Sequence, residues 1–315
     1  MAYKVYKLEF TTGVHFGKRS IEDAEYSLAA DTIFSALCHE FIKQGQEVLD
    51  DFIHKIKAGK LKLSDAFPYI GDTYYLPKPM WHVETQNDEG DSVIKKAYKN
   101  LKYIPAEQFD NYMKGCLDVL GEEEKMQQGL GSSCLKVSAS IRGEEETVPY
   151  HIGVYYFKEK SGLYFIVYYE EEEDLWLLED CLDALSFAGI GGRRTSGLGR
   201  FELNSDHGKF PKEILEKLDV TTGKVYMSLS VGLPKEEELD GAIEGARFSL
   251  IKRSGFIASQ NYASTLQRKK DMYMLKSGAC FANRYEGDVY DVSTGEARGH
   301  AVYRYGKPLF MEVIS

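Results

Sequence analysis

The sequence predicts an α+β protein made of two tandem βαββαβ, ferredoxin-like units, with an insertion and a glycine-rich loop in the first. Three observations predict it. Short strand-like runs frame two helical stripes in the first 205 residues. The same grammar of strands and a short helix returns after residue 222. The length of 315 residues is too great for one ordinary domain and fits two. The boundary falls in "SDHGKFPKEILEKLDVTTG", giving units at 1–205 and 222–315.

The chain opens on an alternating strand through Tyr3, Val5 and the Tyr6–Phe10 stretch, ending at "TTGVHFG". "AADTIFSALCHEFIKQG" reads as a helix. Asp31 stands where an N-cap belongs, and Ile33, Phe34, Leu37, Cys38, Phe41 and Ile42 recur on one face. Gly45 stops it, and a second helix, "VLDDFIHKIKAG", ends at Gly59. Pro68, Pro77 and Pro79 forbid a long helix in the aromatic stretch that follows. From about 84 to 147 the pattern degrades into polar, weakly periodic sequence and reads as a partly mobile insertion. "CLKVSASI", "PYHIGVYYFK" and "GLYFIVYYEE" are strand-like. "EEDLWLLEDCLDALSFAG" is a helix with a stripe of Leu175, Leu178, Cys181, Leu182 and Leu185 and acids in its first turn. "LGRFEL" closes the unit as a strand. In the second half "KVYMSLSVGLP", "RFSLIKRSGFIAS", "GACFANRYEGDVYDV", "HAVYRY" and "PLFMEVI" read as strands, and "KEEELDGAIEGA" as a short helix.

Bulk properties narrow the function. The formal net charge of −10 argues against a protein that coats nucleic acid over a wide face. It leaves room for one local basic groove. "MAYKVYKLEF" has no apolar signal-peptide core, and "LYFIVYY" is too short to span a bilayer. The five cysteines are scattered without CxxC spacing, so we expect a cytoplasmic protein with reduced thiols and no membrane contact. The histidines form no HExxH or Cys/His cluster, so neither a metal nor a cofactor is expected.

Against this acidic background "FAGIGGRRTSGLGRF", from Phe187 to Phe201, holds five glycines, three arginines and no acid. It lacks the GK[ST] of a phosphate-binding P-loop, and it follows a helix and opens a strand, the reverse of a dinucleotide fingerprint. Glycine lets backbone N–H groups approach an anion without a Cβ in the way. Arg193, Arg194 and Arg200 add charged donors, and Thr195 and Ser196 add hydroxyls, around Gly191, Gly192, Gly197 and Gly199. The group suits a phosphodiester chain; a tight turn with solvated arginines is the structural alternative. A second basic segment, Lys252, Arg253, Ser254, Gly255 and Phe256, breaks a strand at Gly255, where a bulge would aim basic side chains at a domain cleft.

"GIGGRRTSGLGRFEL" resembles the glycine-rich loop of the RAMP superfamily of CRISPR proteins. "VHFGKRS", "AADTIFSAL", "DAFPYI…YYLPKP", "KRSGFIAS", "KSGACFANRYEGDVYDV" and "HAVYRYGKPLF" resemble, in order, segments of the subunit-four family of the type III-A Csm effector complex. They span nearly the whole chain. The resemblance implies two RRM-like domains and a non-catalytic subunit that holds the 5′ handle of the crRNA. It implies as partners the large polymerase-like subunit and a backbone RAMP subunit. The glycine loop, His15, Phe16, Gly17 and Arg19 after the first strand, and residues 252–256 are then the RNA-binding set, with Phe16, Trp81 and Phe256 available to stack on bases. Other RAMP proteins cut RNA. His15 is the best general-base candidate, and Asp31 resembles the acid that backbone RAMPs use. A stand-alone endoribonuclease and a pure protein scaffold stay open beside the clamp.

Overall fold

The structure, a computed structural model, describes residues 2–17, 20–84, 92–140, 148–206, 208–259, 262, 265–295 and 299–314. The first half runs β1 (Ala2–Phe10), α1 (Ala30–Gln44), α2 (Gln46–Ala58), β2 (Leu61–Leu63), β3 (Phe67–Ile70), β4 (Thr73–Pro77), α3 (Ser92–Asn100), β5 (Tyr103–Pro105), α4 (Phe109–Met113), α5 (Val119–Gly129), β6 (Gly131–Ser140), β7 (Val148–Phe157), β8 (Ser161–Tyr169), α6 (Glu172–Ala188) and β9 (Phe201–Ser205). The second half adds α7 (Lys212–Asp219), β10 (Val225–Ser228), α8 (Leu239–Ile243), β11 (Leu250–Arg253), β12 (Met272–Leu275), β13 (Cys280–Phe281), β14 (Val289–Asp291), β15 (Tyr303–Tyr305) and β16 (Phe310–Ile314). The result is a mixed α+β fold with several antiparallel sheets.

A seven-stranded sheet carries the first half in the order β5-β4-β3-β8-β1-β9, with β2 also on β8. β1 pairs antiparallel with β8 and β9, in register Val5↔Ile166 and Leu8↔Leu203. Every residue of β8 but the last is buried, because both faces of the sheet are covered. Strand alternation sorts its side chains. Leu163, Phe165 and Val167, with Tyr6 and Leu8, pack with the apolar sides of α1, α2 and α6. Tyr164, Ile166 and Tyr168, with Val5, pack with Met227, Leu229, Met311 and Val313 of the second half. The two halves therefore share a core across the first sheet.

Ile33, Phe34, Leu37 and Phe41 bury one side of α1, but Ile42 is 40% exposed, so the stripe is narrower than its spacing predicts. Asp31 is not the cap. The helix begins at Ala30, and the Asp65 carboxylate accepts the Ala30 N–H at 2.8 Å and the Val231 N–H at 2.9 Å. A carboxylate remote in sequence caps the helix because that of Asp31 is already engaged, as described below. The expected stripe of α6 is buried, and Asp174 in its acidic start forms an ion pair of 2.5 Å with Lys55 of α2.

Residues 92–140 of the insertion are more ordered than the sequence predicts, and 85–91 and 141–147 lie outside the described residues. Ala97, Tyr98, Ile104, Tyr112, Leu117 and Val119 build a small core from α3, α4, β5 and the start of α5. Tyr98 stacks on Tyr112 with ring centroids 5.7 Å apart, which leaves Lys95, Lys96 and Lys99 on the exposed side of α3. β6 and β7 form a two-stranded ribbon apart from the main sheet, and Tyr155 of β7 also bridges to Val14.

The second half departs from the expected repeat. Its sheet is three-stranded, β13-β10-β16, beside two ribbons, β11-β12 and β14-β15. Among the described residues only α8 and a preceding turn stand as helix between β10 and β11. Glycine inside a helix costs about 1 kcal/mol relative to alanine, and Gly241 and Gly245 fall in and just after this run.

Candidate nucleic-acid interface

The glycine loop is a folded turn anchored at both ends. Ile190 is 1% exposed in the main core, and Leu198 packs with Ile152 and Val154. The Ile190 N–H donates to the Gly199 carbonyl at 2.9 Å, closing the loop on itself. The Gly199 N–H donates to Gly13 O at 2.9 Å, and the Gly192 N–H to His15 O at 3.0 Å, so "GVHF" is fastened along the loop. This closeness fixes two glycines. A Cβ on Gly199 would lie 2.1 Å from the Ile190 carbonyl oxygen, and one on Gly191 would lie 2.7 Å from the Phe16 ring. Arg194, Thr195 and Ser196 form a single 3₁₀ turn that Arg193 enters at φ 60. Among the described residues the N–H groups of Arg193, Arg194 and Thr195 donate to nothing in the protein. Thr195, Ser196 and Arg200 are exposed. Arg193 is steadied by Tyr150, whose hydroxyl accepts from Nη1 at 3.3 Å. Free amides, hydroxyls and guanidinium groups with no carboxylate among them form a donor set for anionic oxygen.

α1 connects this loop to the second half. Thr32, Ser35 and His39 follow at i, i+3 and i+7, a polar stripe about 10 Å long beside the buried face. At its start Arg253 reaches Thr32 Oγ1 at 2.9 Å and binds Asp31 through Nε at 2.9 Å and Nη2 at 2.5 Å. Arg304 of β15 donates to Asp31 Oδ2 at 2.7 Å. Burial opposes ionisation of Asp31, but the two arginines outweigh it and hold the carboxyl below its ordinary pKa. Lys269 approaches Ser35 Oγ at 3.5 Å. At the far end, burial lowers the pKa of His39, and the charges of Arg194 and Lys269 lower it further. Arg253 and Lys269 thus meet the first two members of the stripe, at Thr32 and Ser35, and the charge of Arg194 bears on the third, His39.

Several expected site residues take other roles. Phe16 is 7% exposed and packs edge-on against Phe10, with ring centroids 6.0 Å apart, which closes it to base stacking. Trp81 lies under the Arg247 guanidinium, 4.1 Å from its ring centroid, in a separate shallow pocket beside Val313 and Ile314. Lys252 and Arg253 cannot share a wall, because adjacent strand residues point to opposite faces. Arg253 turns to Asp31, whereas Lys252 pairs with exposed Asp271 at 2.7 Å. Ser254 and Gly255 interrupt the ladder, and pairing resumes at Phe256 opposite Arg268. Phe256 is 54% exposed with the Arg268 guanidinium 5.5 Å from its ring centroid, and so is open to a base. Gly17 is exposed, and Arg19 lies outside the described residues.

His15 Nδ1 donates to the Gly153 carbonyl at 2.7 Å, which leaves Nε2 as the free ring nitrogen. No carboxylate contacts the ring among the described residues. Sequence reasoning missed His39, Lys269, Arg304 and Tyr150. The polar spacing of Thr32, Ser35 and His39 and the basic run Arg268–Lys270 were readable signals; Arg304 carried none. Among the described residues no three His, Cys, Asp or Glu side chains converge as metal ligands, and no helix is long and apolar enough to cross a membrane.

The chain is similar to known proteins over its whole length. The family model for the CRISPR Csm4 C-terminal domain matches residues 221–313. A Csm4 protein of Mycobacterium tuberculosis is 34% identical over 99% of this chain and 98% of its own length. A Csm4 protein of Streptococcus thermophilus is 31% identical over 99% of both. In fold, the chain is similar to one from a crystal structure of a Csm3–Csm4 subcomplex of the type III-A interference complex, with a TM-score of 0.67 at 22% identity over 98% of each chain. It is also similar to one from a Csm1–Csm4 cassette solved with AMPPNP, with a TM-score of 0.56 at 18% identity over 99% of this chain and 98% of that one. Identity of this extent, end to end, shows that the chain belongs to the Csm4 family of the type III-A CRISPR Csm complex.

Proposed function

We propose that the chain is a non-catalytic crRNA-binding subunit of a type III-A Csm interference complex. It clamps the 5′ handle of the crRNA and bridges the large polymerase-like subunit to the RAMP backbone, in the cytoplasm and away from membranes. The observation that carries this is the acid-free glycine loop with its free amides and arginines, together with Arg253 and Lys269 held against Thr32 and Ser35 of α1. A single RNA strand needs such a line of phosphate donors with an exposed aromatic beside it, and Phe256 meets the second need.

The order β9-β1-β8-β3, with α1 after β1 and α6 after β8, supports reading residues 1–205 as a ferredoxin-like unit with insertions. The match of the C-terminal-domain family at 221–313 supports a second unit from 222. Solved assemblies of similar fold pair Csm4 with Csm3 or with Csm1, and we assign both partners to this chain. The non-catalytic reading is supported by Asp31, whose carboxylate is consumed by two arginines, and by His15, whose imidazole hydrogen-bonds to a carbonyl and, among the described residues, to no acid.

Replacing Arg193 and Arg194 by Ala tests the reading. Each lost phosphate contact lowers the log–log salt slope of single-strand binding by about 0.7. We expect weaker binding of handle RNA and a flatter slope. Unchanged affinity and slope in a folded variant would refute it.

A further inference from the structure

At the start of the α1 stripe lies a cleft of about 100 Å³. Asp31, Thr32 and Ser35 form one wall, and Arg253, Lys269 and Arg304 contribute to the other. Three cations therefore meet one carboxylate. The next buried acid, Asp65, has one oxygen engaged by the Ala30 and Val231 amides, and burial raises its pKa, which weakens it as a counter-ion. Asp271 stands outside the cleft and is held by Lys252. The cleft is left with excess positive charge.

Two of the cations also have donors to spare. Arg304 is 5% exposed, and its Nε has no hydrogen-bond partner among the described residues. A buried donor left unpaired is costly, and the protein normally supplies a partner. Among the described residues Lys269 Nζ meets only Ser35 Oγ, at 3.5 Å, longer than a good hydrogen bond. Burial lowers the pKa of both Lys269 and Arg304, and Asp31 offsets it only in part. An anion in the cleft would satisfy the donors and the charge together. The volume, roughly that of three waters, suits a phosphate-sized group.

We infer that this cleft seats one phosphodiester of the bound RNA, held by Lys269 and Arg304 while the Arg253–Asp31 pair fixes the wall. The inference rests on the RNA-binding reading above and adds a specific seat to it. Lys269 is the group to change, because it forms no ion pair on which the described fold depends.

The test uses the full chain and a synthetic single-stranded RNA carrying the repeat-derived 5′ handle. Each linkage in turn is made a neutral methylphosphonate. Affinities are measured for the unaltered protein, Lys269→Gln, Lys269→Arg and the Arg193→Ala/Arg194→Ala pair. We expect one linkage whose neutralisation weakens the unaltered protein about tenfold, as for a lost charge-assisted hydrogen bond. The same change costs Lys269→Gln nothing further, and Lys269→Arg keeps the sensitivity. Lys269→Gln also lowers the salt slope by about 0.7. A Lys269→Gln profile parallel to that of the unaltered protein at every linkage overturns the seat. If the loop variant still weakens binding in that case, the RNA-binding reading survives alone. If the loop variant has no effect while Lys269→Gln abolishes one linkage's contribution, the seat stands and the loop assignment falls.

Discussion

Asp31→Asn should unfold the protein at markedly lower denaturant. The Asp31 side chain is 3% exposed and accepts from Arg253 Nε, Arg253 Nη2 and Arg304 Nη1. At 2.5 Å to Arg253 and 2.7 Å to Arg304, each ion pair carries a gross attraction of about 6–7 kcal/mol at an effective dielectric of about 20, most of it offset by desolvation. The asparagine keeps the shape and leaves two guanidinium groups without the carboxylate charge they bind. Removing one partner of a buried pair costs about 3–5 kcal/mol, and that is the loss we expect in urea denaturation of the full chain. Asp72→Asn is the control. Its pair with Lys209 is as short, at 2.8 Å, but Asp72 is 70% exposed, so its midpoint should not move measurably. The pH dependence follows in sign. The folded pKa of Asp31 is depressed, so its contribution is complete above the unfolded value of about 3.9 and disappears as pH falls through the lower folded value. The gap between the unaltered protein and Asp31→Asn should be constant near neutrality and close in acid. An Asp31→Asn midpoint equal to that of the Asp72 control would refute the buried-pair argument.

Gly197→Ala and Gly199→Ala should differ sharply. Both positions have φ near +80, a strain of about 1–2 kcal/mol for alanine, but a Cβ at 197 meets nothing within 4 Å whereas one at 199 strikes the Ile190 carbonyl oxygen. We expect Gly197→Ala to bind RNA with a modest stability loss and Gly199→Ala to lose the loop and the binding; equal behaviour would show that the loop is not closed at Ile190. The purified chain should leave repeat RNA uncut with or without divalent metal, and cleavage lost in His15→Ala would establish an endoribonuclease instead.

The glycine loop was legible because its composition is local: five glycines and three arginines in one stretch have few structural uses. The buried stripe of α6 was legible from periodicity. The role of Asp31 was not, because its partners lie 222 and 273 residues away, and a cap is the default for an aspartate at the start of a helix. Lys252 and Arg253 read as one basic wall until strand alternation separated them. The insertion hid its core because Tyr98, Ile104, Tyr112 and Val119 are spread over short elements, none long enough to show a period. In the second half, strand-like runs were visible, but their pairing into one short sheet and two ribbons depends on distant register.

The central claim is that the loop and the C-terminal segment grip one stretch of RNA along α1. Photo-crosslinking groups placed at Arg194 and Lys269, in separate chains assembled into the Csm complex, test it directly. The account predicts crosslinks from both to the 5′ handle, within a few nucleotides of each other. Crosslinks to unrelated parts of the crRNA, or none from either position in an assembled complex, would contradict it.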